Sequence, residues 1–261
     1  MYKDLKVYVI NLPREQIKKK RIKKLLEKFN FNFTFFKAVD GEKENLNYIN
    51  GYNDLKRKLF FGRSLLKKEL GIFESHRKII NEIVEKKIKY GLIFEDDITL
   101  HSSFENILKK ILNLDYSWDL IRFLDTKKIN LLKGRNIINI EDKTCIKRYP
   151  YLFGGAHAYL ISYYGAKKII ELTKDFYYPI DLIMGQTWKN NLNSLVCNPG
   201  MVWQEPRYNI DPKDSTRFLK KNKNFLTVYP FSRFFFKIYE SSAKWIFYFY
   251  KFFPDLVNKK N

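Results

Sequence analysis

The sequence predicts an α/β fold, a sheet flanked by helices, and three observations carry that expectation. Short β-branched and aromatic runs alternate along the chain with longer segments of helical spacing. Several of those runs end in polar or acidic residues, the pattern of buried strands surfacing at one edge of a sheet. At 261 residues, 45% of them hydrophobic, the chain can bury a substantial core as one domain with appendages.

Val7-Tyr8-Val9-Ile10 reads as the first strand, ending at Asn11-Leu12-Pro13. A helix to Phe29 follows: Ile17, Ile22, Leu25, Leu26 and Phe29 recur at helical spacing among lysines and arginines, and Pro13 lies near the first turn, where its missing N–H costs little. Alternating Phe31, Phe33 and Phe35 predict a second strand that runs into Ala38-Val39-Asp40-Gly41. Residues 42–63 are polar and Asn-rich without clear periodicity and read as a long loop with short helical turns, of the kind that borders substrate sites. Helical spacing returns from Leu65 to Ile88, and Gly91 precedes Leu92-Ile93-Phe94, an apolar run that leads directly into Glu95-Asp96-Asp97.

Trp118 to Leu124 reads as a strand ending at Asp125, and residues 127–149 as a hairpin or irregular edge. Gly154-Gly155 introduces a strand from Ala156 to Ile161, with a helix from Gly165 to Leu172 and another from Pro179-Ile180-Asp181 through Trp188. Pro199-Gly200 opens a loop carrying Trp203, Gln204 and Glu205. The expected division is a main unit over 1–230 and an amphipathic extension over 231–261. If the very aromatic stretch Phe231–Phe253 is helical, Arg233, Lys237, Glu240, Lys244 and Lys251 fall on one narrow arc and leave a broad apolar face. Charges interrupt it too often for a span of about 20 apolar residues, whereas an in-plane helix on an anionic membrane surface suits it. The alternative is that the apolar face caps the core.

Forty-nine basic against 28 acidic residues give a formal net charge of +21 and point to polyanionic partners: nucleotides, phosphorylated saccharides, anionic lipid or nucleic acid. Cys145 and Cys197 lie far apart without metal-site or redox-motif spacing, which fits a reducing compartment. The N-terminus enters a strand-like run without an apolar signal segment, so the expected location is cytoplasmic, peripheral on the cytoplasmic face of the inner membrane.

The chemistry concentrates in Glu95-Asp96-Asp97. Three consecutive carboxylates repel one another, so after an apolar strand they need water or a cation. Hard carboxylate oxygens suit Mg²⁺ or Mn²⁺, and such a metal can bridge the phosphates of a nucleotide diphosphate and stabilise the charge on a leaving group. In extended backbone Glu95 and Asp97 face one side and Asp96 the other. Asp97 is therefore the first candidate metal ligand, with Glu95 in support. Asn11, the acidic triplet and Asp125 all fall at strand ends, where open α/β sheets bind ligands.

Val9-Ile10-Asn11-Leu12 with Arg14 and Arg21, Ala38-Val39-Asp40-Gly41, Leu70-Gly71 with Ser75-His76, and Leu92 to Asp97 occur in this order. Gly155 to Ile161 with Gly165-Ala166, and Pro179-Ile180-Asp181, complete the series. Together these blocks resemble the family 25 glycosyltransferases, which include lipooligosaccharide galactosyl- and glucosyltransferases and collagen galactosyltransferases. The resemblance covers most of residues 6–205. One departure is Ile72, where the family often has a cysteine after the glycine.

The resemblance implies a GT-A-type, Rossmann-like mixed sheet, a UDP-sugar donor, a metal-binding acidic motif and inversion at the anomeric carbon. The expected acceptor is a lipooligosaccharide or other cell-envelope glycan. Asn11, Arg14 and Asp40 are candidates for the nucleoside and Arg21 for a phosphate, although both arginines fit solvated helix positions. Ser75 and His76 are candidate donor contacts, and His76 equally fits a satisfied core histidine. Asp96 and Gly155 complete the donor-binding set, with Gly155 allowing close backbone approach. Inversion needs one general base. Asp181 is the first candidate, with Asp125 and Glu205 behind it, although an aspartate in a first helical turn also serves the helix dipole. His157, inside an apolar strand, reads as structural, Trp203 as either a sugar platform or core, and Gln204 or Glu205 as a candidate to complete the metal-diphosphate environment.

A nucleic-acid-binding protein would use the same basic and aromatic residues, but it leaves the acidic triplet unexplained. No nucleic-acid partner is expected. A catalytically silent scaffold of the same family is the third reading.

Overall fold

The computed structural model describes residues 2–44, 49–124, 134–149, 154–205, 228–247 and 249–250. Ten strands are assigned within them: β1 (Leu5–Asn11), β2 (Phe33–Lys37), β3 (Tyr90–Glu95), β4 (Ile98–Leu100), β5 (Leu120–Arg122), β6 (Arg135–Glu141), β7 (Thr144–Arg148), β8 (Ala158–Ser162), β9 (Ser194–Asn198) and β10 (Val202–Gln204). The helices are α1 (Gln16–Leu26), α2 (Asp54–Phe61), α3 (Lys67–Glu85), α4 (Phe104–Leu112), α5 (Tyr163–Leu172), α6 (Ile180–Gly185), α7 (Thr187–Asn190) and α8 (Tyr229–Phe247).

Eight strands form a mixed sheet in the order β2-β1-β3-β8-β5-β9-β7-β6, and β10 pairs with β4 in a separate ribbon. β1 runs parallel to both β2 and β3, as β5 does to β9, whereas β8 lies antiparallel between β3 and β5. The start of β8 therefore shares an edge with the carboxyl ends of β3 and β5. This is the helix-flanked mixed α/β sheet that the sequence led us to expect.

Neighbouring residues of each strand feed opposite faces, as period-two geometry requires. Tyr8, Ile93, Tyr159 and Ile161 join Phe73, Ile79, Ile80 and Ile83 of α3 in one core. Val7, Val9, Leu92, Phe94 and Leu160 join Ile22 and Leu26 of α1 and Phe104 and Ile107 of α4 in the other. Each fully buried large apolar side chain contributes roughly 1.5–3 kcal/mol relative to exposure. Gly41 and Gly71 let the end of β2 press on the start of α3. A Cβ at Gly41 would lie 1.9 Å from the Lys67 carbonyl oxygen, and one at Gly71 2.7 Å from that of Val39.

Four details differ from the sequence reading. Residues 42–63 contain a regular helix, α2, capped by the Asn53 side chain, which accepts from the Lys56 N–H, and closed by left-handed Gly62. The helix expected through Trp188 breaks at Gln186, where Asn190 Nδ2 donates to the Ile183 and Met184 carbonyls. Part of the loop expected after Gly200 is β10, paired with β4 in the register Gln204 to Ile98.

The fourth concerns α8. Three residues of its polar arc face the domain: Arg233 lies over the Phe61 ring at 4.8 Å, Glu240 accepts from the Tyr178 hydroxyl at 3.1 Å, and Lys244 lies over Trp188 at 5.7 Å, whereas Lys237 is exposed and Lys251 lies outside the described residues. Phe236 is buried and stacked on Phe60, centroids 4.3 Å apart. The opposite face exposes Phe231, Phe234, Phe235, Ile238, Trp245 and Ile246. Among the described residues no helix is long and apolar enough to cross a membrane.

Candidate functional site

The site is built where β1, β2 and β3 end. A cleft of about 230 Å³ opens there, walled by Arg14 before α1, Lys18 of α1, Asp40 after β2, Ser75 and His76 of α3, and the acidic turn Glu95-Asp96-Asp97. The apolar strand fixes the turn's height, because Leu92, Ile93 and Phe94 are fully buried and deliver the three carboxylates at the sheet edge.

The triplet is divided between two surroundings. Asp96 accepts from Asn11 Nδ2 at 2.7 Å and lies 4.0 Å from Lys18 Nζ. Glu95 and Asp97 instead share Gln204: its Nε2 lies 3.2 Å from Glu95 Oε2 and 3.5 Å from each Asp97 oxygen. Arg21 does not line the cleft. It sits behind the turn, where Nη2 donates to the Asp96 and Ile98 carbonyls at 3.0 and 2.8 Å and Nη1 lies 3.7 Å from Glu205 Oε1. Glu205 closes the same corner, its N–H donating to the Asp97 carbonyl and its carboxylate accepting from Thr99 Oγ1, both at 2.8 Å.

Electrostatics follow this division. Burial, reinforced by Glu95 and Asp96, pushes the Asp97 carboxyl up to about 6. Burial also raises Asp96, against the opposing pull of Asn11 and Lys18. For Glu95 burial works against the charge, but the His76 imidazole outweighs it and holds the group below the usual carboxylate range. The turn thus concentrates negative charge that only part of its surroundings neutralises.

Among the described residues, no group of three or more His, Cys, Asp and Glu side chains is arranged to hold a metal ion. Two carboxylates with one shared focus still fit Mg²⁺ or Mn²⁺, which are held by one or two carboxylates together with substrate phosphates and water rather than in all-protein cages. The raised Asp97 marks the place where a cation would relieve repulsion.

The remaining candidates are distributed as follows. Arg14 forms an ion pair with Asp40 across the cleft mouth. Ser75 is buried, accepts from the Val39 N–H and donates to the Gly71 carbonyl, both at 2.8 Å, and so ties α3 to the end of β2. Gly155, at φ +85°, turns the chain into β8, and its N–H donates to Asp181 Oδ2 at 2.9 Å while Asp181 Oδ1 accepts from the Leu182 N–H at 2.8 Å. Asp181 thus stands on the edge shared by β3, β5 and β8, apart from the cleft-lining set. Asp125 lies outside the described residues. His157 is buried, with Nε2 3.4 Å from the Val202 carbonyl oxygen.

Three participants escaped the sequence reading. Lys18 repeats the position of Arg14 one helical turn on, a spacing that could have exposed it. Arg122 is a fully buried cation in an otherwise apolar strand, which was itself a signal; it donates to the Gly154 and Gly155 carbonyls, and burial pulls its guanidinium down to about 10. Tyr159 left no local signal, because its partner His76 is 83 residues away.

Comparison of the sequence with known proteins gives the family. The model of glycosyltransferase family 25 (LPS biosynthesis protein) matches residues 4–184. The chain belongs to this family. Among relatives, a probable inactive glycosyltransferase 25 family member 3 of Rattus norvegicus is 29% identical over 181 residues, covering 63% of this chain and 29% of its own. Procollagen galactosyltransferase 1 of Danio rerio is 28% identical over 177 residues, covering 63% and 28%. The family 25 chain thus spans under a third of the length of these relatives. A crystal structure of a glycosyltransferase involved in glycosylation of the major capsid of PBCV-1 aligns over 74% of this chain and 80% of that one, at 14% identity and a TM-score of 0.32.

Proposed function

We propose that this family 25 chain transfers a hexose, galactose or glucose, from a UDP-sugar to a lipooligosaccharide or other cell-envelope glycan, with inversion at the anomeric carbon. The observation that carries the reading is the pairing of Glu95 and Asp97 on one focus at the end of β3, beside a cleft walled by Arg14, Lys18 and Asp40. Glu95 and Asp97 would hold Mn²⁺ or Mg²⁺, which when bound neutralises the diphosphate and the charge of the departing nucleotide. Lys18 and Arg14 add positive charge to the cleft, and Asp40 orients Arg14. Arg21 and Glu205 keep the acidic turn in place from behind. Asp181, held by the Gly155 N–H, is the general base that takes the acceptor hydroxyl's proton, ahead of Asp125 and Glu205.

The acceptor is presented at an anionic membrane surface on its cytoplasmic face, and the exposed rings of α8 supply the contact. Amphipathic helices with Phe and Trp on one face and cations nearby bind in the plane of such surfaces.

Calorimetry with UDP, with and without Mn²⁺, tests the reading. UDP is expected to bind the intact chain only with Mn²⁺, and Asp97→Ala to lose that binding by at least about 100-fold. Binding that ignores Mn²⁺, or no binding at all, counts against the proposal. Metal-dependent UDP binding without transfer or hydrolysis of any UDP-sugar would instead favour a silent family member, a class represented among the relatives.

A further inference from the structure

Behind the acidic turn, on the side away from Gln204, lies a buried histidine that the proposed chemistry does not use. His76 is 1% exposed and Tyr159, in the centre of the sheet, 0%. His76 Nδ1 lies 2.9 Å from the Tyr159 hydroxyl, and Nε2 lies 3.6 Å from Glu95 Oε1. Nε2 has no hydrogen-bond partner and is sealed from solvent. A buried donor left unpaired is costly, and the nearest acceptor is the Glu95 carboxylate.

The protonation pattern follows from the partners. An ionised carboxylate only accepts, so the proton of a neutral His76 belongs on Nε2, facing Glu95. Nδ1 is then the acceptor, and the Tyr159 hydroxyl donates to it. The backbone allows this line-up because Tyr159 pairs with Ile93, two residues before Glu95, so both side chains project from the face covered by α3. Packing restrains the imidazole as well: α3 is held against the end of β2 by Ser75 and by the close approach at Gly71.

We infer that His76 and Tyr159 are a positioning pair for Glu95, with His76 aiming the carboxylate at the cation and Tyr159 fixing the tautomer and tilt of His76. His76 is then not a donor-sugar contact, although its edge lines the cleft. Groups that orient a metal's protein ligands typically account for 10–100-fold in metal affinity. The inference rests on the reading of Glu95 as a metal ligand.

Two substitutions separate the two nitrogens. In His76→Asn the amide reaches only the Nδ1 position, keeping a partner for Tyr159 but removing the donor that faces Glu95. In His76→Gln the longer side chain returns an N–H near the Nε2 position. Mn²⁺ affinity, titrated by electron paramagnetic resonance in the presence of UDP, is expected to fall about 10–100-fold in His76→Asn. It should stay within about threefold of the intact chain in His76→Gln, and Tyr159→Phe should fall between them. Unfolding midpoints measured without metal control for lost packing.

Equal losses in His76→Asn and His76→Gln, in step with their unfolding midpoints, would reduce His76 to a packing role and overturn the inference. Unchanged Mn²⁺ affinity in His76→Asn overturns it while leaving the metal site standing. Absence of Mn²⁺ binding by the intact chain removes both.

Discussion

The cleft and α8 invert the ordinary rule of folding in opposite directions. At the cleft, carboxylates are drawn into the sheet edge and Asp97 is left with a raised affinity for protons. On α8, aromatic rings are turned to the solvent while Arg233, Glu240 and Lys244 face the domain. Soluble domains avoid both arrangements: buried charge needs a partner, and contiguous exposed apolar surface marks an interaction site. On the proposed reading, each region is complementary to something outside the chain, a cation in one case and a hydrocarbon surface in the other.

If the two regions act separately, substitutions should affect them one at a time. The largest expected effect is chemical: Asp181→Asn should lower transfer by about 10²- to 10⁴-fold while Mn²⁺-dependent UDP affinity and vesicle binding stay unchanged. Normal turnover in that variant removes Asp181 from the chemistry. Next, replacing Phe234, Phe235 and Trp245 together by Ser should weaken partition onto vesicles containing anionic lipid by about thirtyfold, or about 2 kcal/mol, with UDP binding intact. Undiminished partition would leave the exposed rings without a membrane role.

The smallest effect is one of stability. The folded chain holds the Asp97 proton more tightly than the unfolded one, so ionisation destabilises the fold as pH rises from about 3.8 to about 6. Asp97→Asn never ionises. Without metal it should be more stable than the intact chain by on the order of 1–2 kcal/mol above pH 6, with the difference vanishing below about pH 4. Mn²⁺ should raise the unfolding midpoint of the intact chain more than that of the variant. A destabilised Asp97→Asn at pH 7 would show that the carboxylate is satisfied without a cation.

The sequence was readable where local pattern and tertiary role coincide. Val7 to Ile10 and Leu92 to Phe94 are buried strands with the composition of buried strands, and the acidic turn lies where the latter stops. α2 escaped because the apolar residues that hold it, Phe60 and Phe61, pack on Phe236, which local spacing cannot reveal. β4 and β10 are three residues each, too short for a period to register. The polar arc of α8 was visible as an arc, but not its direction, because its partners Phe61, Tyr178 and Trp188 lie 56 to 172 positions earlier. Of the candidate site, the residues around the cleft were recoverable from type and position. Gln204, a candidate for the metal-diphosphate environment, does stand beside Glu95 and Asp97, whereas the supporting contacts of Arg21 and Tyr159 were not legible, since each depends on which elements become neighbours.

Arg21 carries one further consequence. By holding the carbonyls of Asp96 and Ile98 while Glu205, in the same corner, donates its N–H to the Asp97 carbonyl, it keeps the turn in shape through backbone contacts that leave the three carboxylates unused. On the proposed reading, loading such a turn requires no rearrangement of the chain. Glu95 and Asp97 would then receive a cation in the positions they already hold. The turn would follow the free cation concentration as a reversible gauge and return to the same state after each departure.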